Sequence, residues 1–319
     1  MKGTIFVILL FLVVGLGLTG KGLAVEKIRY GTAIKQAPAY YLPILAAEEK
    51  GFWKEQWLAV EWLPVGTTKA MHAAIAAGSL NLGLDTAVSM IHVIGRGVPA
   101  TIVADHQFVV VTGLWVRADS PAKQPKDLEK GAKIGVMSLG GTDHAYGRML
   151  LSALGMEQNV RFVATGGVRQ GMAAVKTGAV DAVTMTRNLM IPLLAKGEVR
   201  LLAKQEDYVK ASIMGNIQWA RSSFLNENPG IIAKGVKAIL RANAFVTNNR
   251  DWSLEKMKEN QGISGTAGEL LYEYHRFSTD GKISRQAIEN TINFVVEYGL
   301  LPKDKAPQPE KVYTTQFTS

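Results

Sequence analysis

The sequence predicts an α/β protein made of two similar lobes, and three observations support that fold class. Short apolar segments with strand character alternate with helical segments from Lys27 to about residue 228. The segment at 66–86 is repeated at 166–186 without a gap. From Pro229 onward the pattern is mainly helical. Strands that alternate with helices are typical of mostly parallel sheets covered by helices.

The individual elements follow from hydrophobic periodicity and from the glycines and prolines that interrupt it. Runs of strand length lie at 27–33, 58–64, 80–85, 99–106, 109–119, 132–137, 160–165 and 180–185. Helical patterns lie at 37–53, 68–78, 87–97, 142–155 and 168–178, and again through 230–300. The Pro-rich tail from Pro302 is expected to be loose.

The internal repeat gives both halves the same local structure. GTTKAMHAAIAAGSLNLGLDT at 66–86 aligns with GGVRQGMAAVKTGAVDAVTMT at 166–186. Each copy predicts an amphipathic helix that ends at a glycine, followed by a buried strand that ends in Thr86 or Thr186. Chance similarity between two strand–helix units is the alternative. Ligands bind outside the carboxyl ends of strands in open α/β sheets. Two such lobes facing each other would therefore form a clamshell with Thr86 and Thr186 across a common cleft.

The first 24 residues have the pattern of a secretory signal peptide. Lys2 precedes the apolar run IFVILLFLVV, and small residues follow up to Ala24. GLGLTGKG at 15–22 resembles a phosphate-binding loop but carries Gly22 where Ser or Thr is required. The apolar run is short for a bilayer span, although an uncleaved anchor is the alternative. We expect a mature chain from Val25 onward that acts in the periplasm.

The composition excludes several kinds of site. The chain has no cysteine, which excludes disulfides, thiolate metal sites and a cysteine nucleophile. Its formal charge of +9 is spread without a dense basic run, so we predict no nucleic-acid partner. The charge indicates either an ordinary basic surface or a mild bias toward anionic ligands. The five histidines lack metal-ligand spacing, and no nucleophile motif occurs. We therefore predict no metal, no cofactor and no catalytic residue.

Three stretches carry a family resemblance: KIRYGTAIKQAPAYYLPILAAEEKGFW at the start, LWVRADSPAKQPKDLEKGAKIGVMSLGGTDHAYGRMLLSALG in the middle, and VRQGMAAVKTGAVDAVTM after it. Their order and spacing resemble the nitrate/sulfonate/taurine (SsuA/NMT1-like) family of ABC-transporter substrate-binding proteins, from about Lys27 to Leu300. The resemblance implies a type II periplasmic binding protein fold, with two Rossmann-like α/β lobes joined by a hinge that the chain crosses twice.

The resemblance also implies a domain division. After the signal peptide at 1–24, lobe one comprises 25–113 and 220–319, and lobe two comprises 114–219. The crossings are expected near 112–119 and 213–223, and the C-terminal helices are expected to pack on lobe one. The sequence departs from the family pattern at Trp57, where members often carry Gly. It departs again after 180–185, where Thr186 and Arg187 replace an aromatic residue.

Candidate ligand-binding residues lie where strands end and helices begin. In lobe two, KIGVMSLGGTDHAYGRML places a Gly-bearing loop before a helix, whose N-terminal N–H groups could bind an anion. Turn formation and helix capping are the alternative interpretation of this loop. Arg187 could pair with a carboxylate, sulfonate or phosphate, or could be a surface residue. Asp85 would favour an amine or hydroxyl, or could cap the next helix. The predicted set is Gln36, Tyr40, Thr67, Asp85, Thr86, Thr112, Ser138, Gly141, Thr142, His144, Thr186 and Arg187.

The function expected from the sequence is capture and delivery of a solute. The protein would bind a small anionic or zwitterionic organic molecule, such as a sulfonate or carboxylate, between its lobes and deliver it to an ABC importer permease. It would act as a monomer and meet the membrane only through that permease. Two other functions stay open: an enzyme on the same fold, similar to thiamine-pyrimidine synthases, and a sensor module that presents its ligand to a receptor.

Overall fold

The computed structural model describes residues 25–33, 41–107, 112–128, 130–210 and 212–318. The predicted signal peptide at 1–24 lies outside these residues. The strands are β1 (Glu26–Thr32), β2 (Leu58–Pro64), β3 (Leu82–Thr86), β4 (Ala100–Gln107), β5 (Thr112–Arg117), β6 (Ala132–Val136), β7 (Val160–Ala164), β8 (Ala182–Thr186), β9 (Val199–Lys204) and β10 (Asn216–Arg221).

The helices alternate with the strands up to β10 and then continue alone. They are α1 (Leu42–Glu49), α2 (Phe52–Glu55), α3 (Thr68–Ala76), α4 (Ala87–Ile94), α5 (Thr142–Ala153), α6 (Val168–Thr177), α7 (Arg187–Ala195), α8 (Gln205–Tyr208), α9 (Ser222–Glu227), α10 (Pro229–Asn248), α11 (Arg250–Gln261), α12 (Gly265–Tyr274) and α13 (Arg285–Glu297). No helix in the described ranges is both apolar enough and long enough to span a membrane.

The strands form two five-stranded sheets with the same strand order. The first is β2-β1-β3-β10-β4 and the second is β7-β6-β8-β5-β9. In each sheet the fourth strand runs antiparallel to both of its neighbours. The chain reaches this strand directly from the other sheet, because β10 follows β9 in sequence and β5 follows β4. The predicted α/β class with two lobes is confirmed. We call the first sheet with its helices the first lobe, and the second sheet with its helices the second lobe.

The strand pairing moves the predicted lobe boundaries by a few residues. Thr112 and Gly113 were assigned to lobe one, but they pair with β8 and β9 in the second sheet. The residues at 216–219 were assigned to lobe two, but they pair with β3 and β4 in the first sheet. The predicted lobe boundaries fall inside β5 and β10. A strand that joins the sheet of the other lobe has the same apolar pattern as a strand that remains in its own lobe, so the pattern does not locate the boundary.

The sequence repeat corresponds to a structural repeat. β3 and β8 lie 100 residues apart in the numbering and occupy the same position in their sheets. On the inserted strands, Trp219 pairs with Gly83 and Trp115 pairs with Val183. Both tryptophans are fully buried. Each lobe is therefore built around one tryptophan on its antiparallel strand.

The C-terminal helices pack on both lobes, not only on lobe one as predicted. α10 packs on α1 and α2, and α13 packs on α4, all in the first lobe. α12 instead contacts α7 of the second lobe. The expected loose tail is also wrong, because the N–H of Ile102 donates to the carbonyl of Val312 at 2.8 Å and Val312 is fully buried. Prolines limit regular structure but do not prevent packing of the apolar residues between them.

Trp57 is one of the two departures from the family pattern, and its backbone conformation shows what the position requires. It has a left-handed backbone with φ of 58° and is about half exposed. A bulky residue with positive φ is strained, whereas glycine adopts this conformation freely. The position therefore suits the glycine that the resemblance leads one to expect, and Trp57 occupies it at a cost to stability.

Gly83 allows the first sheet to close around Trp219, and this leads to a stability prediction. A Cβ at this position would lie 2.6 Å from Cζ2 of Trp219 and would overlap the carbonyl oxygen of Gly31. We expect Gly83→Ala to lower the free energy of unfolding by about 2–3 kcal/mol, because overpacking against backbone cannot relax. Urea denaturation followed by circular dichroism measures the change.

Gly230→Ala provides the matched control for this experiment. No atom lies within 4 Å of a Cβ built on Gly230, which is in α10. Its unfolding free energy should stay within about 0.5 kcal/mol of the parent value. Equal stability of the Gly83→Ala and Gly230→Ala variants would show that the packing of Trp219 does not depend on the absence of a Cβ at position 83.

Candidate functional site

A cavity of about 490 Å³ lies between the lobes, at the carboxyl ends of β3 and β8. The first lobe, β10 and α12 contribute Ala33, Tyr41, Thr68, Leu84, Asp85, Thr86, Ser89, Gln107, Asn216 and Tyr274. The second lobe contributes Thr112, Met137, Ser138, Thr142, Asp143, Tyr146, Val168, Thr184, Met185, Thr186, Asn188 and Leu189. The cavity has the size and the mixed polar and apolar walls of a small-molecule site.

Half of the predicted site residues line this cavity. They are Asp85, Thr86, Thr112, Ser138, Thr142 and Thr186, and they come from both lobes. Thr86 and Thr186 both contribute to its wall, as the repeat led us to expect. Gln36 and Tyr40 lie outside the described residues. That these side chains bind a ligand stays a prediction.

The structure places Thr67, Gly141 and His144 in structural roles beside the cavity. Thr67 caps α3 by accepting a hydrogen bond from the N–H of Ala70 at 3.1 Å, and its neighbour Thr68 reaches the cavity instead. Gly141 precedes α5. The Nδ1 of His144 accepts a hydrogen bond from the N–H of Gly140 at 2.9 Å. Burial lowers the pKa of His144, which fits a neutral imidazole.

Arg187 is already engaged away from the cavity wall. Its Nη1 lies 2.9 Å from Oε1 of Glu206, and its guanidinium stacks on the ring of Tyr274 at 4.6 Å. Arg187 lines a neighbouring pocket with Glu206, Glu273 and Arg276, and this pocket shares Gln107 and Tyr274 with the cavity. A ligand anion would have to compete with the carboxylate of Glu206 for this guanidinium. Arg187 therefore lies beside the cavity, next to Thr186 and Tyr274, but does not itself line it.

The cavity wall carries acidic but no basic side chains among the described residues that line it. Asp85 comes from the first lobe and Asp143 from the second, while the remaining polar groups are hydroxyls and amides. Carboxylates in a cleft attract cations and hydrogen-bond donors and repel anions. This charge is the opposite of the one that an anion-binding cleft needs.

Asp85 is held by His72 and by the start of α4. Its Oδ2 lies 2.8 Å from Nε2 of His72, and its Oδ1 accepts a hydrogen bond from the N–H of Thr86 at 2.7 Å. Ser89 Oγ contacts the same Nε2 at 3.2 Å. Serine hydrolases use the two different ring nitrogens of histidine for the aspartate and the serine. Because one nitrogen serves both here, this cluster is not a hydrolase triad.

Asp143 folds back onto the loop that precedes its own helix. The N–H of Met137 donates a hydrogen bond to its carboxylate. The nearby N–H groups of Ser138, Asp143 and His144 also favour the charged form of this carboxylate. Burial raises the pKa of Asp143 and these N–H groups oppose the shift, with burial the larger effect. The N–H groups that the sequence suggested for a ligand anion are thus bound by the chain itself.

Two buried hydroxyl groups in the cavity wall lack a hydrogen-bond partner within the described part of the chain. They are Oη of Tyr146 and Oγ1 of Thr184. Burial raises the pKa of Tyr146, so its hydroxyl stays protonated and can donate. Buried polar groups are normally paired, and an unpaired one needs an explanation. Both oxygens are inaccessible to solvent in the ligand-free protein, so a ligand would reach them only after a shift of the surrounding side chains.

Amide side chains connect the two hinge segments at the edge of the cavity. Nδ2 of Asn216 donates to Oε1 of Gln107 at 2.6 Å, and Nε2 of Gln107 lies 2.8 Å from Nδ1 of His275. Burial lowers the pKa of His275 to about 3. The imidazole is therefore neutral, and its Nδ1 accepts the hydrogen bond from Gln107. The end of β4, the start of β10 and the start of the 275–283 segment are fixed together at this point.

Several cavity residues were missed by the sequence analysis. The sequence pattern predicts that Tyr146 and Thr184 are core residues of a helix and a strand. Gln107 and Asn216 were missed because they lie in the apolar strands β4 and β10. Asn188 follows the predicted Arg187 and could have been found as a polar residue in the first turn of a helix. Within the described ranges, no group of three or more His, Cys, Asp or Glu side chains could hold a metal ion.

Known proteins that are similar to this chain include one named as a binding protein and others named as synthases. The periplasmic aliphatic sulphonate binding protein SsuA from Escherichia coli has a TM-score of 0.78 and 18% identity, covering 92% of this chain and 94% of that one. A 4-amino-5-hydroxymethyl-2-methylpyrimidine phosphate synthase of Aspergillus parasiticus is 23% identical over 93% of this chain and 89% of its own length. A Saccharomyces cerevisiae protein of that name is 26% identical over 66% of this chain and 64% of its own length.

These similarities confirm the predicted fold and family. The likeness to SsuA shows the two-lobed architecture of periplasmic binding proteins. The family profile described as "NMT1/THI5 like" matches residues 39–252, about two thirds of the sequence. The chain therefore belongs to the NMT1/THI5-like family.

Proposed function

We propose that this protein is the exported solute-binding component of an ABC importer, and that its ligand is a small polar organic molecule that carries hydrogen-bond donors. The observation that carries the proposal is the interlobe cavity with Asp85 and Asp143 in its wall and no basic side chain among its described residues. This differs from the anionic or zwitterionic ligand expected from the sequence, because an uncharged, zwitterionic or amine-bearing ligand suits these walls better than a simple anion.

An aminopyrimidine is the ligand class that best matches the pattern of donors and acceptors. Its exocyclic amine could donate to a carboxylate such as Asp85, and its ring nitrogens could accept from Tyr146 and Thr184. Its flat faces suit apolar and aromatic walls such as those from Leu84 and Tyr41. The curated relatives are named as synthases of an aminopyrimidine phosphate, which supports this class.

The transport role rests on the fold and on the N-terminal sequence. The E. coli protein of similar fold is named as periplasmic, and residues 1–24 have the pattern of a signal peptide. A two-lobed binding protein closes around its ligand and presents the closed form to a permease. We propose that this chain acts as a monomer in the same way, and that it meets the membrane through its permease alone.

The alternative is an enzyme that makes or modifies a pyrimidine. The names of the curated relatives favour it, since the Aspergillus parasiticus protein aligns over 93% of this chain. Mass spectrometry of the ligand after overnight incubation with the protein distinguishes the two functions. A binding protein returns the ligand unchanged in stoichiometric amount, whereas an enzyme that modifies a pyrimidine converts it.

Ligand selection gives the first test of this proposal. We expect 4-amino-5-hydroxymethyl-2-methylpyrimidine to stabilise the chain 25–319 in a thermal-shift assay, because it supplies donors to the acidic wall. At 100 times its Kd it should add about 2.7 kcal/mol. Taurine, an alkanesulfonate and nitrate serve as comparison ligands. A larger shift with the alkanesulfonate than with any amine would contradict the proposed ligand class.

The unpartnered hydroxyls give a second test. Tyr146→Phe and Thr184→Val should each weaken binding of the pyrimidine by about threefold to tenfold, the effect of one lost hydrogen bond. Neither should lower the melting temperature of the ligand-free protein, because each removes a buried hydroxyl that has no partner. Isothermal titration calorimetry measures the binding.

Tyr208→Phe is the matched control for Tyr146→Phe. Tyr208 is exposed and lies outside the cavity, so its variant should bind the pyrimidine with the parent affinity. If Tyr146→Phe and Thr184→Val also bind like the parent protein, the two hydroxyls do not face the ligand.

A further inference from the structure

We propose that Arg148 is a positioning residue that ties α5 of the second lobe to the end of α13 in the first lobe, and that this tie sets the angle at which the two lobes face each other. The effect on ligand affinity rests on the proposed function, because it is measured with the proposed ligand. The effect on the arrangement of the lobes is measured without any ligand.

α5 belongs to the second lobe but packs into the cores of both lobes. Leu150 and Leu151 are buried in an apolar cluster of the second lobe. Ala145, Tyr146 and Met149 are instead buried in an apolar cluster that α13 forms with other elements of the first lobe. Residues three and four apart share one face of a helix, so these three side chains form a single face. One helix therefore joins the two cores.

Two side chains of α5 make direct contacts with the end of α13. The ring centroids of Tyr146 and Phe294 lie 4.9 Å apart. Nη1 of Arg148 donates a hydrogen bond to the carbonyl of Tyr298 at 3.3 Å, and its guanidinium lies over the ring of Tyr298 at 5.5 Å from the centroid. Nε of Arg148 lies 2.6 Å from Oε1 of Glu157, which is in the second lobe. Glu157 thus holds the guanidinium in place for its contact with the other lobe.

α13 is itself fixed to the first lobe and to the chain that returns to it. The helix packs on α4. Nδ2 of Asn290 donates to the carbonyl of Ser212 at 3.1 Å, and the N–H of Met214 donates to Oγ1 of Thr291 at 3.1 Å. Ser212 and Met214 lie just before β10, in the segment that crosses back from the second lobe. The contact between α5 and α13 therefore connects the lobes beside this crossing.

The position of α5 decides how the two walls of the cavity are spaced. Thr142, Asp143 and Tyr146 reach the cavity wall from the first turns of α5, whereas Arg148 does not line the cavity. A ligand that contacts both walls binds only to molecules in which the walls are correctly spaced. Its apparent affinity falls in proportion to the fraction of molecules in that arrangement. Arg148 can therefore govern affinity without touching the ligand.

Arg148→Met tests the inference, because it removes the hydrogen bond and the charge but keeps an unbranched side chain. Calorimetry with 4-amino-5-hydroxymethyl-2-methylpyrimidine should show about threefold to tenfold weaker binding than in the parent protein, the effect of one hydrogen bond and one cation–π contact at a partly exposed site. Arg148→Lys keeps a cation near Tyr298 and should bind with intermediate affinity. If Arg148→Met does not fold by circular dichroism, Arg148→Lys decides.

Fluorescence energy transfer measures the arrangement of the lobes in the ligand-free protein. Dyes are attached at Glu61→Cys and Arg161→Cys, two exposed positions on the edge strands β2 and β7 of the two sheets. The chain has no other cysteine, so both labels are specific. We expect a broader distribution of transfer efficiency in the Arg148 variants than in the parent protein, because the lobes are less tightly held.

Arg200→Met is the matched control. Nη2 of Arg200 donates to the carbonyl of Ser120 at 2.9 Å, and both residues belong to the second lobe. This variant should keep the parent affinity and the parent distribution of transfer efficiency. The inference is overturned if folded Arg148 variants keep the parent distribution, if the distribution broadens without loss of affinity, or if Arg200→Met changes as much. Failure of the parent protein to bind the pyrimidine would count against the proposed ligand class alone, and the energy-transfer comparison would then decide the inference.

Discussion

The exchange of one strand between the lobes is the constraint on which the rest of this structure depends. β5 completes the second sheet on arrival from the first lobe, and β10 completes the first sheet on its return. Each inserted strand runs antiparallel to its neighbours and places a buried tryptophan at the centre of its lobe. The exchange brings the carboxyl ends of β3 and β8 to the same cleft. The side chains of Gln107, Asn216 and His275 then hydrogen-bond where the crossing segments meet.

The described residues that line the resulting cleft include two carboxylates, Asp85 and Asp143, and no basic side chain. Helix N-termini converge on the cleft, as in any pair of α/β lobes, and they would favour an anion. Before α5, the N–H of Met137 instead donates a hydrogen bond to the carboxylate of Asp143. Before α4, the N–H of Thr86 donates to the carboxylate of Asp85. The available cations, Arg148 and Arg187, are paired with Glu157 and Glu206. These local contacts are the basis of the ligand class proposed for the cavity.

Much of the fold could be predicted from the sequence because hydrophobic periodicity and glycine positions are local signals. The repeat at 66–86 and 166–186 located β3 and β8 correctly, and with them Thr86 and Thr186. The limits of the prediction lie in contacts between distant residues. The ring of Tyr274 stacks on the guanidinium of Arg187, which is 87 residues earlier in the sequence. The carbonyl of Val312 accepts a hydrogen bond from the N–H of Ile102 and fixes the C-terminal tail. Nothing in the neighbouring sequence encodes either contact.

Asp143 shows a second kind of limit, because the right loop was identified and its occupant was not. Thr142 and His144 were named as candidates on either side of it, since a Gly-bearing loop before a helix indicates an anion site. Whether such a site is open or filled depends on the rotamer of one aspartate, which the sequence pattern does not specify. Tyr146 and Thr184 were missed for a related reason, since periodicity marks them as core and cannot show that their hydroxyls lack partners.

The measurement that tests the central claim most directly is amide hydrogen exchange of Met137 and Ser138 in the ligand-free protein. If Asp143 holds these N–H groups, they exchange slowly in the parent protein and at least about tenfold faster in Asp143→Asn, since the opening free energy of a local hydrogen bond sets the rate. Equal exchange rates in the two proteins would show that the carboxylate does not occupy the loop, and would leave the start of α5 open to an anionic ligand.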